Sequence, residues 1–192
     1  AAAAFAAVSL ILGLLWLPEP EQHTAPAPVP VIPASTASPA LLRILATGAA
    51  ATMAFTVMYV VFPLYAEQEL GYDRRGVSWL FVLVGLVNAS AQGGLVGRLV
   101  PRFGEGRLMT GGSTLMAVGF VLLPLGTSAA MPTGLRAPAF FASLVIVALG
   151  YGLVGPAVAG SLSRAVDPDR QGRTLGLLQS ANAGARVAGP IL

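Results

Sequence analysis

Long apolar runs, broken at fairly even intervals by short polar stretches, set the pattern of this chain. A bilayer core takes ~20 mostly apolar residues per helix. Six runs approach that length: residues 1–17, 41–66, 76–97, 108–128, 139–160 and 174–192. The first closes at Pro18 and Pro20 and reads as the C-terminal part of a helix. A cleaved signal peptide competes for that run, with an Ala-rich flank in its favour and no basic segment ahead of it. Residues 18–40 are rich in Pro, Ala and Ser and lack helical periodicity, which predicts an extended, solvated linker. The chain opens on AAAAF without Met and stops at Leu192 within an apolar run. The expectation is an internal piece of a longer polytopic protein, divided by its linker into the end of one half and a bundle over 41–192.

Composition sharpens this into an all-α membrane protein, a polytopic helical bundle. Of 192 residues, 55% are hydrophobic and 10% charged, with mean hydropathy +0.76. A soluble domain carries roughly 25% charged residues, so this chain cannot clothe a water-facing surface. The net charge of +3 comes from arginines scattered at the ends of the runs, which argues against nucleic acid. Cysteine is absent and His23 is the single histidine, so no thiolate or histidine metal centre, cofactor site or catalytic triad is expected. Arg43, Arg98, Arg102, Arg107, Arg164, Arg170 and Arg173 fall at one end of the runs, and Arg74, Arg75 and Arg136 at the other. The positive-inside bias then places the 18–43, 98–107 and 161–173 loops in the cytoplasm.

Polar residues inside the runs carry the candidate chemistry. Arg186 lies well inside the last run, where a guanidinium is tolerated mainly against a bundle interior or a wet cavity. Gln179 and Asn182 share its helical face by spacings of three and four. Asn88 and Gln92 stand one turn apart, and a neutral amide in lipid needs either an interhelical partner or a substrate. Thr52, Thr56 and Tyr59 form another stripe, in which the threonines favour bonds back to their own helix. Tyr59 serves as cavity wall or as packing. The segment GYGLVGP contains Gly150, Gly152, Gly155 and Pro156, which either loosen the helix near a cavity or permit close packing. Acidic residues are missing from the runs themselves.

Two loops add motifs. GRLVPRFGEGR runs from Gly97 to Arg107, where Pro101 and Gly104 predict a tight turn among basic residues that meet the anionic leaflet. The pattern on Gly97, Leu99, Arg102, Gly104 and Arg107 resembles the loop signature of the major facilitator superfamily, in its C-terminal-half form. Pro101 stands where the N-half copy carries an acid, a departure that bears on the charge relay attributed to that acid. SRAVDPDRQGRTLGLLQSANAGARVAGP resembles the loop and penultimate helix of drug:proton antiporters of that superfamily, the tetracycline-efflux-like branch included. Asp167-Pro168, Gln171, Gly172, Arg173, Gly176 and the Gly189-Pro190 pair carry the likeness. Gly176, Ala185, Gly189 and Pro190 also keep the spacing of the glycine-rich antiporter motif, and equally suit helix packing through small residues.

The resemblance implies a C-terminal-half fragment of a partial major facilitator fold with about five to six transmembrane helices, set in a bacterial inner membrane. It implies a secondary transporter that exports small organic compounds or drugs, with lipid, substrate, protons and a missing N-terminal half as partners. Tyr59, Asn88, Gln92, Gln179, Asn182 and Arg186 would line its cavity. Gly97, Arg102, Gly104, Arg107, Asp167, Gly172 and Arg173 would form gating loops, with Gly176, Gly189 and Pro190 at helix contacts. A metabolite or sugar importer on the same scaffold and a non-transporting membrane scaffold are the competing functions. An enzyme is disfavoured, since no paired carboxylates, metal spacing or activated nucleophile is visible.

Overall fold

The computed structural model describes residues 38–126, 128 and 131–191. The expected helix over 1–17 and nearly all of the linker lie outside the described residues. Five long helices follow: α1 (Pro39–Leu70), α2 (Arg74–Phe103), α3 (Glu105–Leu122), α4 (Thr133–Arg164) and α5 (Pro168–Ala188). Lipid offers no partner to backbone N–H and C=O groups, so each crossing element satisfies them within its own helix.

Local chemistry sets the boundaries. Ser38 caps α1 by accepting from the Leu41 N–H at 3.2 Å, with Pro39 at the first position. Gly71, at φ 67°, reverses the chain after α1, and the Tyr72 N–H donates to the Ala66 carbonyl at 3.1 Å. Asp73 then caps α2 by accepting from the Gly76 N–H at 2.8 Å. Gly104, at φ 76°, is the hinge between α2 and α3. The expected turn at Pro101 is corrected: Pro101 lies inside the last turns of α2, and Gly104 alone makes the break. Pro124 falls in a 3-10 turn, Leu123–Gly126, that closes α3 short of the expected 128. α4 runs unbroken through Pro138 and Pro156, longer at both ends than the 139–160 run.

α1, α2, α3 with its closing turn, and α4 are long and apolar enough to cross a membrane. α5 is not long and apolar enough among the described residues, where an incomplete span over 174–192 was expected. It begins at Pro168, its charged and amide side chains dilute its apolar content, and it is followed by a 3-10 turn, Gly189–Ile191, that contains Pro190.

α4 is the central helix, with 44% of its apolar window buried against 17–33% for the other three spans. Phe140, Leu144, Val147, Ala148, Val158 and Leu162 from α4 meet Phe55, Met58, Phe62 and Ala66 of α1 and Val77, Leu80 and Val84 of α2. Outward positions remain apolar, as in Trp79 (72% exposed) and Val121 (74% exposed), because lipid and not water is their solvent. The pairing is reciprocal: α2 lies along α4, α5 lies along α1, and α1 crosses α4. α3 packs on the back of α4 through Gly112, Gly119 and Gly126, each too close to α4 to accept a Cβ without movement.

Candidate functional site

An aromatic ledge occupies the crossing of α1 and α4. Phe55 and Tyr151 stack at 3.9 Å between centroids with planes 7° apart. Tyr59 meets the edge of Phe55 at 5.1 Å and stacks on Phe81 of α2 at 5.0 Å. Phe62 continues the ledge to Phe81 and Phe140. Such pairs contribute ~0.5–1.5 kcal/mol each beyond their burial. Tyr59 is 43% exposed all the same, so it packs and presents a free side at once. The i, i+4, i+7 spacing of Phe55, Tyr59 and Phe62 was the sequence signal for this ledge, and the polar stripe through Tyr59 overlooked it.

Polar groups flank the ledge at mid-depth. The Thr52 hydroxyl donates to Asn182 Oδ1 at 3.1 Å, joining α1 to α5. Thr56 bonds back to the Thr52 carbonyl at 2.8 Å, so the back-bonding expectation holds for Thr56 while the buried Thr52 reaches across. Beyond Asn182, Gly189 abuts the Met53 carbonyl and Val57. Rising numbers on α5 therefore match rising numbers on α1, and the two helices run in parallel. The 32 residues of α1 extend about 48 Å, and residues 52–57 straddle the middle of that length. Arg186, between Asn182 and Gly189 on α5, is set at this depth and is exposed, as is Gln179.

On α2 the Gln92 amide donates to Asn88 Oδ1 at 2.6 Å. Asn88 also faces Gly152 of α4, where a Cβ would lie 3.0 Å from its Oδ1. Around Gln92 α2 widens into a π-helical turn, Ala91–Leu95, beyond which none of Val96–Phe103 is buried. The structure thus brings Tyr59, Asn88 and Gln92 to the α1–α2–α4 side and Gln179, Asn182 and Arg186 to α5. Only Asn182 is tied directly to α1, through Thr52.

The two motif loops lie at the same end of the bundle. Arg164 Nη2 donates to Glu105 Oε1 at 2.6 Å, and the Glu105 carboxylate lies directly over Gly160, where a Cβ would make it shift. Glu105, at the start of α3, was not among the residues singled out from the sequence; its place beside Gly104 in a basic loop was the available signal. Gln171 adds a bond to the Ser163 carbonyl at 3.0 Å. Gly97, Arg102, Arg107, Asp167 and Gly172 are exposed at this end, and Arg173 is half-buried. Gly176 is exposed with open space where its Cβ would be, so it meets no helix among the described residues. Gly189 does pack, and Pro190 beside it is exposed.

A hollow of about 490 Å³ lies elsewhere, between α1 and α3, and is lined almost wholly by apolar groups such as Ala54, Met58, Val61 and Phe120, with Tyr65 among them. Among the described residues no His, Cys, Asp and Glu side chains gather to hold a metal.

Residues 1–190 match the family model of the Major Facilitator Superfamily. The chain is 28% identical over 129 residues to the class C tetracycline resistance protein of Escherichia coli, covering 67% of this chain and 30% of that protein. It is 28% identical over 132 residues to the class D protein of Salmonella ordonez (69% of this chain, 31% of that protein). Against the class G protein of Vibrio anguillarum it is 30% identical over 128 residues (67% and 30%). The chain thus matches less than a third of the length of these relatives. No solved structure matches it.

Proposed function

The chain belongs to the Major Facilitator Superfamily, and from that premise we propose that it forms the C-terminal bundle of a secondary transporter exporting small organic compounds in exchange for protons. The feature that carries this reading is the set of polar side chains level with the middle of α1, beside a partly exposed aromatic ledge. A guanidinium there is costly in lipid and is at home beside a water-filled path. Tyr59, Asn88, Gln92, Gln179, Asn182 and Arg186 line the cavity, with Asn182 held in register by Thr52. Arg186 favours anionic or electron-rich solutes. In this reading residues 18–40 link the two halves, and the 18–43, 98–107 and 161–173 loops face the cytoplasm of a bacterial inner membrane.

Proton coupling requires a titratable group in the path. The described acids sit at helix ends: Glu67 and Glu69 close α1, Asp73 caps α2, Glu105 opens α3, and Asp167 and Asp169 open α5. The coupling carboxylate is therefore assigned to chain outside the described residues.

The names of the relatives make tetracycline the first solute to try. In inside-out vesicles carrying the complete protein, an imposed proton gradient should drive its uptake. Arg186→Ala and Asn88→Ala should each alter the transport kinetics. Unchanged kinetics in both variants for every solute moved would remove the cavity assignment.

A further inference from the structure

Within GYGLVGP three glycines of α4 have three different surroundings. At Gly150 a Cβ would lie 2.6 Å from the Gly112 carbonyl oxygen and 2.7 Å from the Met116 nitrogen, both on α3. At Gly152 it would lie 2.7 Å from Ala91 Cβ on α2. At Gly155 it would meet nothing within 4 Å, and the residue is exposed. Glycine inside a helix costs ~0.5–1 kcal/mol relative to alanine. Close helix approach offsets that cost at Gly150 and Gly152; nothing in the bundle offsets it at Gly155.

Helix phase fixes where the gap opens. At ~100° per residue, Gly155 lies between Tyr151, which stacks on Phe55 of α1, and Gly152, which abuts α2. Val154 and Gly150, the residues against Gly112 of α3, lie on the other side of Tyr151. Gly155 therefore opens into the junction of α1, α2 and α4 and away from the α3 contact. α2 and α4 run in the same direction, and Gly152 is level with Asn88 and Ala91. One turn on, Gly155 is level with Gln92 and Leu95, both exposed, in the π-helical turn.

We propose that Gly155 is a specificity-determining position of the cavity: its missing side chain leaves a slot, bounded by Tyr151 and Gln92, that receives a flat aromatic group of the transported compound. This rests on the transport reading above and adds to it a residue and a shape requirement. A ring in the slot can approach the α4 backbone to van der Waals contact, meet the aromatic ledge at Tyr151, and turn a polar substituent to the Gln92 amide. Any larger side chain at this position occupies the same space.

This chain has no cysteine, so a single added thiol can be followed in the purified complete protein once any cysteine elsewhere in it is replaced by serine, with fluorescein as the flat anionic probe. Gly155→Cys should react with a water-soluble methanethiosulfonate, and fluorescein should slow that reaction. Gly155→Leu should raise the fluorescein Kd about tenfold, the equivalent of one lost aromatic contact. Gly111→Leu, at an equally open and exposed position on α3, is the folded control and should change it by no more than about twofold. An unreactive thiol, no protection by fluorescein, or equal Kd values for the Gly155→Leu and Gly111→Leu variants would overturn the slot. Fluorescein protection without movement of any solute across vesicles would count against transport alone. Transport with a slot-insensitive Gly155→Leu variant would count against the slot alone.

Discussion

Replacing Gly150 by alanine pits two effects of known sign against each other. Away from neighbours, Gly→Ala inside a helix stabilises by ~0.5–1 kcal/mol. At Gly150 the new Cβ would fall 2.6 Å from the Gly112 carbonyl oxygen, 2.7 Å from the Met116 nitrogen and 2.8 Å from Met116 Cγ. Two of those atoms are backbone, so no rotamer change relieves them and α3 must move off α4. Overpacking of this kind costs ~1–3 kcal/mol, which outweighs the propensity gain and leaves a net loss of about 1 kcal/mol or more. The contact is mutual, because a Cβ at Gly112 would fall 2.8 Å from the Gly150 carbonyl oxygen. Once one alanine has parted the helices, the second should cost less, so Gly112→Ala and Gly150→Ala should be sub-additive. Gly155→Ala is the internal control, since it meets nothing and should keep the intrinsic gain. The assay is SDS-titrated unfolding of the complete protein in detergent micelles, followed by far-UV circular dichroism. The two single variants should differ by roughly 2 kcal/mol, in favour of Gly155→Ala. If Gly150→Ala unfolds at the same SDS fraction as Gly155→Ala, the close α3–α4 approach is wrong.

Two further outcomes follow from the contacts. Thr52→Val removes the hydrogen bond from α1 to Asn182 and should destabilise by about 1 kcal/mol in the same SDS assay, while Thr56→Val, which loses only a bond to its own helix, should cost about half of that or less. Single cysteines at Phe103 and Val166, near the Glu105–Arg164 pair, should react with a membrane-impermeant maleimide from the same face of sealed vesicles, and labelling from opposite faces would break the α3–α4 topology.

The crossing helices were legible because lipid imposes a local demand. A run of apolar residues long enough for the bilayer must be helical, whatever packs beside it. The same locality made Gly104 readable as a turn, and the caps at Ser38 and Asp73 and the reversal at Gly71 depend on equally few adjacent residues. Boundaries misread at Pro101 and Pro138 share one cause: proline disfavours a helix locally, yet bundle packing carried α2 and α4 through both.

Position relative to other helices was beyond the sequence. Thr52 and Thr56 look alike in one stripe, but α5 stands beside Thr52 alone within reach of a hydroxyl. Gly176 and Gly189 belong to one motif, and only Gly189 meets a neighbour. Glu105 seemed a loop charge until the end of α4 brought Arg164 and Gly160 to it. By itself the sequence determined a membrane-spanning helical bundle with arginine-biased loops and a guanidinium set deep in a helix, because hydropathy, charge and turn geometry act over a few residues. Tertiary structure decided which glycine packs, which bounds an open slot, and which polar group is already bonded, because those depend on helix phase and on neighbours many residues away.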